Sequence, residues 1–369
     1  MKRRDFLKVT GLCACGTFAI PARTTAQDPN SPFAKEAMFY EKLPDERIRC
    51  LVCPRECVVD DCERGYCGVR ENFGGTYYTI VYGRVCAYHI DPIEKKPLFH
   101  FLPGTTAFSI ATAGCNMECK FCQNWEISQE RPENIDAIDL KPGLVVSAAR
   151  RSGCPTIAYT YTEPIVFYEY ALDCARLGHD SGVRSVFITA GFIRKQPLIE
   201  LAKHMDAIKI DLKAYTQDFY RKICSSELKP VLDAIVTVRN TDTWLEIVYL
   251  VIPTLNDKDK EIDEMCKWML EYVGNDVPLH FTRFYPTYRL RNLPPTPLSA
   301  VEKARQIALS RGLKYVYVGN VPAGNPGEST YCPVCGNKVI ERAGYRILRF
   351  ELEKGRCPKC KTAIPGVWS

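Results

Sequence analysis

Between residues 107 and 320 the hydrophobic positions follow two alternating periods along the chain. Short runs rich in β-branched and aromatic residues predict strands, and the stretches between them have the apolar spacing of helices. The run TWLEIVYLVIP is apolar almost throughout, as expected of a strand covered on both faces. Strands that alternate with helices in this way predict parallel βα units.

The repeating unit defines the predicted fold class. The predicted strands are AFSIATA, TIAYTYTEP, SVFITAG, AIKIDLKA, TWLEIVYLVIP, LHFTRFYP and KYVYVGN. The helices between them are predicted near residues 141–153, 165–177, 196–204, 216–223, 258–273 and 298–311. About six or seven such units predict an α/β fold, a full or partial (β/α) barrel of the TIM type.

Polar and thiol side chains stand at or near the ends of the predicted strands. A loop with Cys115, Cys119 and Cys122 follows the first strand. Later strand ends carry Glu163, Thr189, Asp211 with Lys213, and His280. Because the carboxyl ends of barrel strands meet at one rim, this arrangement predicts an active site there.

The three loop cysteines have the spacing CxxxCxxC, which is one thiolate short of a closed set. Cys thiolates ligate iron–sulfur clusters, normally four to a [4Fe–4S] cluster. Three ligands would leave one iron open to a small molecule that binds through an amine and a carboxylate. The spacing alone also leaves room for a different metal site.

This loop resembles that of the radical SAM superfamily, since CxxxCxxC with Phe121 before the last cysteine follows a first barrel strand. The stretches DPIEKKPLFHFLPG, CKFCQNWEIS, YTYTEP, VFITAGFI, IKIDLKAY and VYVGNVP are similar to the branch related to pyruvate formate-lyase activating enzyme. Within that branch, the AmmeMemoRadiSam subgroup matches best, over roughly residues 45–369.

The resemblance implies a cofactor site. Cys115, Cys119 and Cys122 would ligate a [4Fe–4S] cluster, with S-adenosylmethionine on the open iron. Glu163, in YTEP where the superfamily has a Gly-Gly-Glu-Pro stretch, would meet the methionine amino group. A surface carboxylate at a strand end is the alternative for Glu163.

Other contacts are implied in the same way. Asp211 would lie near the ribose, Lys213 near the carboxylate, and Thr189 with Gly191 near the cofactor. His280 would approach the adenosine, with a structural histidine as the alternative. Where the activases place an arginine on the fifth strand this chain reads EIVYLVIP, so Lys213 is a candidate to replace that contact.

The implied activity is that of an oxidoreductase that cleaves S-adenosylmethionine reductively to a 5′-deoxyadenosyl radical. The radical would abstract hydrogen from a substrate or partner protein, a Memo-type protein by analogy with the subgroup. A low-potential electron donor would be required. The alternative is an exported iron–sulfur, zinc or electron-transfer protein without radical chemistry, and Glu163 and Lys213 argue against it because electron transfer needs neither.

Two further cysteine groups flank the predicted barrel. The C-terminal group consists of two CxxC pairs, a closed set that suits structural zinc, with disulfides as the alternative: Cys332, Cys335, Cys357 and Cys360. The N-terminal group has Cys62 as an additional member and could bind zinc, a second iron–sulfur cluster or each other: Cys50, Cys53, Cys57 and Cys67. Such tight clusters favour metals over a disulfide framework, which mostly serves small domains.

The first 26 residues are predicted to be a leader. Arg3-Arg4 followed by Asp5, Phe6 and Leu7 resembles a twin-arginine signal, and cleavage would follow Ala26. The protein is then expected in the periplasm after cofactor insertion in the cytoplasm, or in the cytoplasm if the leader is not used. A basic amphipathic first helix is the alternative.

The predicted organisation is a signal peptide at 1–26, a Cys-rich region at 27–106, the barrel at 107–320 and a Cys-rich, zinc-ribbon-like region at 321–369. The formal net charge of +6 is concentrated in the leader, so the remaining chain is nearly balanced and no nucleic-acid partner is expected. No segment has the ~18 apolar residues of a spanning helix, so no stable membrane span is expected.

Overall fold

The structure is a computed structural model that describes residues 29–369, and the predicted leader lies outside these residues. Nineteen strands in this part of the chain are β1 Lys35–Glu36, β2 Tyr40–Lys42, β3 Ile48–Cys50, β4 Val58–Val59, β5 Arg70–Phe73, β6 Thr76–Thr79, β7 Arg84–Val85, β8 Ala87–Pro92, β9 Thr106–Ala111, β10 Ile138–Asp139, β11 Thr156–Tyr159, β12 Arg184–Thr189, β13 Ala207–Asp211, β14 Trp244–Val251, β15 Leu279–Arg283, β16 Val316–Gly319, β17 Thr330–Tyr331, β18 Lys338–Ala343 and β19 Arg346–Phe350.

Eight α-helices accompany these strands in the described residues: α1 Trp125–Ser128, α2 Pro142–Arg151, α3 Tyr168–Asp180, α4 Lys195–Ala202, α5 Gln217–Cys224, α6 Leu228–Arg239, α7 Asp259–Tyr272 and α8 Leu298–Ser310. Short 3₁₀ helices occupy Ile93–Lys95, Pro132–Asn134, Pro164–Phe167 and Pro326–Glu328. No helix within residues 29–369 is long and apolar enough to cross a membrane.

The central sheet has eight strands in the order β16-β15-β14-β13-β12-β11-β9-β8. Neighbours from β9 to β16 are parallel, and β8 adds an antiparallel strand at one edge. The strands β8 and β16 are the two edges of this sheet and do not pair with each other, so the barrel is partial and not closed. The predicted fold class, a partial (β/α) barrel with Cys-rich extensions, is confirmed.

The helix α6 was not predicted, and the reason is local. Pro230 stands at its third position, inside a stretch that reads LKPVLDAIVTVR. Proline normally argues against a helix interior, but in the first turn its missing N–H has no intrahelical partner to lose. The helix buries Val231, Ala234, Ile235 and Val238 at helical spacing.

Smaller sheets flank the barrel on both sides in sequence. The N-terminal sheets are β1-β6-β5 and β2-β3-β4. Arg70 of β5 ties the first of them to the barrel, because its guanidinium donates two hydrogen bonds to Glu169 on α3 at 3.0 and 2.6 Å. The C-terminal sheet β17-β18-β19 is tied by Arg342, which donates to the Phe99 carbonyl at 2.7 Å and lies over the Phe99 ring. Both arginines are almost completely buried.

His100 fastens the C-terminal end of the chain to the barrel. Its Nδ1 lies 2.7 Å from the Pro365 carbonyl and its Nε2 lies 2.5 Å from the Tyr317 hydroxyl. A carbonyl can only accept, so the neutral ring donates from Nδ1 and accepts at Nε2. Burial outweighs the charge of Glu246 and lowers the pKa of His100 to about 4.

We predict that His100 makes stability depend on pH. In the unfolded chain His100 binds a proton once the pH falls below its ordinary pKa of about 6.5, whereas in the folded chain it does so only near pH 4. Between these two pH values the unfolded state binds more protons than the folded state, so the unfolding free energy falls as the pH decreases. Between pH 7 and pH 5 the loss through His100 should be about 2 kcal/mol. Urea unfolding of the wild type and of His100→Gln at both pH values measures it. The variant should lose less stability than the wild type over this interval, and an identical loss would contradict the assignment.

Candidate active site

The loop with the three cysteines follows β9 and is held by hydrogen bonds to α5 and within itself. Its backbone amides at Glu118 and Lys120 donate to the carbonyls of Cys224 and Ile223, at the end of α5, at 3.1 and 2.9 Å. Within the loop the Cys122 amide donates to the Cys119 carbonyl at 3.0 Å. Cys119 is buried, whereas Cys115 and Cys122 remain partly accessible from the rim.

The donor set suits a group larger than one metal ion. A tetrahedral ion with sulfur at about 2.3 Å holds its thiolates about 3.8 Å apart. The C-terminal cysteines are the only set of three or more His, Cys, Asp or Glu ligand atoms within residues 29–369 that all lie within 4.8 Å of one another. Cys115, Cys119 and Cys122 are not such a set, so their placement does not match a single tetrahedral ion, whereas in a four-iron cluster each thiolate binds a different iron.

Glu163 lies beyond the carboxyl end of β11, at the start of a 3₁₀ turn. Its carboxylate accepts from the Thr189 hydroxyl at 2.6 Å and from the Ala190 amide at 2.8 Å, so the ends of β11 and β12 are joined through one side chain. Burial raises the pKa of Glu163 from its ordinary value, although these hydrogen bonds oppose the rise. The surface-carboxylate alternative does not hold, because the side chain is buried.

Gly191 allows this connection to form. Its φ of +71° favours glycine, and a Cβ there would lie 2.9 Å from the Ile210 side chain on the neighbouring strand β13. The Gly191 amide donates to the Thr189 hydroxyl at 3.0 Å, which leaves that hydroxyl to donate to Glu163. The structure thus brings the predicted residues Glu163 and Thr189 into direct contact.

Asp211 and Lys213 stand at the end of β13 with a third charged residue that was not predicted. The Asp211 carboxylate accepts from Lys213 Nζ at 3.3 Å and also from Lys209 Nζ. Lys209 is buried within the strand. The alternation in IKIDLK could have revealed it, because side chains two apart on a strand share one face.

These charges act on one another and on the cysteine loop. Burial opposes the charge of Asp211, but Lys209 and Lys213 outweigh it and lower the pKa of Asp211. Burial also opposes the charge of Lys213, but Asp211 and the Cys119 thiolate raise the pKa of Lys213 well above its ordinary value. Lys213 also lies 5.7 Å from the centre of the Phe121 ring in the loop. The lysine is therefore a cation held beside the predicted cluster ligands.

His280 has a different environment from the one predicted. It is the second residue of β15, is almost completely buried, and its Nε2 lies 2.7 Å from Glu246 on β14. Glu246 also accepts from the backbone amides of Phe99 and His100 at 3.0 and 2.8 Å. Contact with adenosine stays a prediction for His280, and these partners favour the structural alternative.

The C-terminal cysteines come together as predicted. The Sγ atoms of Cys332 and Cys360 lie 3.4 Å apart, and those of Cys335 and Cys357 lie 3.6 Å apart. These separations approach the ~3.8 Å edge of a tetrahedral zinc site, and all four thiols are free. Of the N-terminal group, Cys50, Cys53, Cys57 and Cys67 line one cavity, while Cys62 is exposed.

The rim therefore offers three thiols that form no disulfide, a carboxylate, and a cation within one set of strand ends. A carboxylate can accept hydrogen bonds from an ammonium group, and a lysine can donate to a carboxylate, so together they match the two ends of an amino acid. The roles of Glu163, Thr189, Asp211 and Lys213 in binding a cofactor stay predictions.

Comparison with known proteins adds to this geometry. The sequence profile described as Radical SAM superfamily matches residues 109–268. The chain is 45% identical to uncharacterized protein MJ0808 of Methanocaldococcus jannaschii over 89% of this chain and 98% of that protein. It is 22% identical to the pyruvate formate-lyase-activating enzyme of Clostridium pasteurianum over 54% of this chain and 87% of that protein.

A solved domain of a pyruvate-formate lyase-activating enzyme from Bacteroides vulgatus superimposes with a TM-score of 0.40 at 17% identity, covering 44% of this chain and 98% of that chain. The profile match begins within β9 and ends within α7, so it includes the cysteine loop, Glu163 and the Asp211–Lys213 segment. The predicted resemblance is confirmed: the chain belongs to the radical SAM superfamily.

Proposed function

We propose that this chain binds a [4Fe–4S] cluster through Cys115, Cys119 and Cys122 and holds S-adenosylmethionine beside it for radical chemistry. When bound and reduced, these cofactors would supply a 5′-deoxyadenosyl radical that abstracts hydrogen from a substrate or partner protein. The observation that carries the proposal is the convergence of the cysteine loop, Glu163 and Lys213 on one rim of the barrel. An electron-transfer protein would need neither of the latter two side chains.

The chain's own residues would bind and orient the cofactor's methionine end. Glu163 would accept from the amino group, and its orientation is fixed by Thr189 and the Ala190 amide. Lys213 would donate to the carboxylate, and Asp211 keeps the ammonium group in place. Because burial strengthens each of these charge-assisted contacts, the site would discriminate strongly for an amino acid group.

The class of substrate is proposed from relatives. Relatives named as activating enzymes support a partner protein rather than a small molecule as the site of hydrogen abstraction. A low-potential one-electron donor would complete the reaction. A Memo-type partner remains the proposal made by subgroup analogy.

We further propose zinc for Cys332, Cys335, Cys357 and Cys360. The four ligand atoms form a closed set within 4.8 Å, and no position is left open for a substrate. This group packs against the C-terminal sheet β17-β18-β19, because Val339 and Ile340 of β18 share a buried hydrophobic cluster with Cys332 and Cys357. The metal would therefore stabilise the fold and take no part in the chemistry.

We predict that the loop cysteines are required for the cluster. Anaerobically reconstituted Cys119→Ala should lose the iron bound at the loop, because three thiolates are the minimum set for this cluster type. Cys266→Ala, which changes another buried cysteine in α7, is the matched control and should keep its iron. Iron and sulfide analysis with EPR of the reduced protein measures both. Unchanged iron content and an unchanged spectrum in Cys119→Ala would overturn the assignment.

A second prediction separates cofactor binding from cluster assembly. Glu163→Gln and Lys213→Met should each keep the cluster but weaken S-adenosylmethionine binding by roughly 1.5–3 kcal/mol, about one to two factors of ten in affinity, because the first removes the negative charge of a charge-assisted contact and the second removes a charged donor. Titration of the reduced cluster's EPR signal with the cofactor measures this. Lys222→Met, an exposed lysine on α5, should bind normally. Full affinity in both site variants would show that the site lies elsewhere.

We also propose that the predicted leader directs the folded protein across the inner membrane. Arg3→Lys combined with Arg4→Lys should keep the protein in the cytoplasm, since the twin arginines are the recognised feature. Arg23→Lys, the same change outside the motif, is the control. Cell fractionation and immunoblotting measure the distribution, and equal periplasmic amounts for all three proteins would refute the proposal.

A further inference from the structure

The N-terminal cysteines surround a cavity of their own. Cys50, Cys53, Cys57 and Cys67 all line it, together with Arg70 and Tyr77. The four residues come from separate positions: the end of β3, the turn after it, the residue before β4, and the loop before β5. Cys62 lies between them in sequence but does not line the cavity and is exposed.

Within residues 29–369 the four N-terminal sulfurs are not a tight ligand set of the kind that suits a single ion. A set of three or more ligand atoms within 4.8 Å of one another occurs only at the C-terminal group within residues 29–369. There, two sulfur pairs approach to 3.4 and 3.6 Å. A zinc ion, or the paired ligands of a two-iron cluster, requires such close pairs. A four-iron cluster separates its ligands because each thiolate binds a different iron.

Two observations indicate that the cavity is built for a polar occupant. The Tyr66 amide donates to Cys57 Sγ at 3.5 Å, as amides do to ligand sulfurs. Arg70 also lines the cavity and is 2% exposed, and its Nε is a buried donor with no hydrogen-bond partner in residues 29–369. An unsatisfied buried donor costs about 1–3 kcal/mol, and an acceptor in the cavity would remove that cost.

We propose that Cys50, Cys53, Cys57 and Cys67 hold a second [4Fe–4S] cluster with four thiolate ligands. The thiols are free, so the chain carries all four donors such a cluster needs. Unlike the loop cysteines, this closed set leaves no iron open to a substrate, and the cluster would not itself bind S-adenosylmethionine.

The two cysteine groups are neighbours. A Cβ at Gly114 would lie 2.7 Å from the Cys67 carbonyl, so glycine is needed where the two segments meet. Asn116 lines the cavity, and its carbonyl accepts from Arg55 Nε at 2.7 Å. The two neighbours of Cys115 in sequence therefore both lie against the second site. When both clusters are reduced, their unpaired spins should interact and broaden the EPR signal.

The test leaves the proposed site untouched and removes the other one. The full-length chain with Cys115→Ala, Cys119→Ala and Cys122→Ala is reconstituted anaerobically with iron and sulfide. It should hold about four iron and four sulfide ions per chain, with the Mössbauer spectrum of a [4Fe–4S] cluster, and the wild type should hold about twice as much. Absence of iron in this variant, or a second zinc ion in its place, would overturn the proposal.

The reciprocal variant is Cys53→Ser with Cys67→Ser, which should lose about half of the wild-type iron and the spin interaction. Cys62→Ser is the matched control from the same region and should keep both. Iron retained in full by the double variant would overturn the proposal. Because each site is removed separately, loss of the second cluster alone leaves the proposed function intact, and the reverse outcome would identify the loop assignment as the error.

Discussion

Parallel strands must end at the same edge of a sheet, and the candidate site depends on this constraint. The cysteine loop, Glu163, Thr189 and the Asp211–Lys213 segment are separated by long stretches of sequence, yet each follows a strand of the same parallel sheet. The hydrogen-bonded register sets Thr189, the last residue of β12, opposite Ile210, so β12 and β13 end within one residue of each other. The site is thus assembled by the barrel and then refined by side-chain contacts.

The barrel can place charges in its interior only because they are paired. Asp211 accepts from two lysines, and the buried pair of His280 and Glu246 lies on the neighbouring strands. An unpaired buried charge would cost several kcal/mol, so these partners fix both the charge state and the orientation of each side chain. At the rim, this leaves Lys213 as a cation and Glu163 as an oriented acceptor, the two groups that an amino acid end requires.

The sequence predicted the barrel because the periodicity of strands and helices is strong, and it predicted the loop cysteines because their spacing is distinctive. It could not place His280, since strand position alone does not tell which partner a buried histidine finds. Lys209 was missed although the alternation in IKIDLK contains it, and α6 was missed because Pro230 obscured a helix start. The N-terminal cysteines show another limit, because their spacing permits several metals and does not show that Cys50, Cys53, Cys57 and Cys67 line one cavity.

The claim that S-adenosylmethionine is cleaved at this rim is tested most directly by measuring the product of that cleavage, 5′-deoxyadenosine. Reconstituted full-length protein is reduced with dithionite in the presence of S-adenosylmethionine, and 5′-deoxyadenosine is quantified by chromatography. The wild type and Cys266→Ala should form it at the same rate, and Cys119→Ala should form none above the protein-free background. Absence of 5′-deoxyadenosine from wild-type protein with an intact, reduced loop cluster, or equal formation by Cys119→Ala, would contradict radical chemistry at this site.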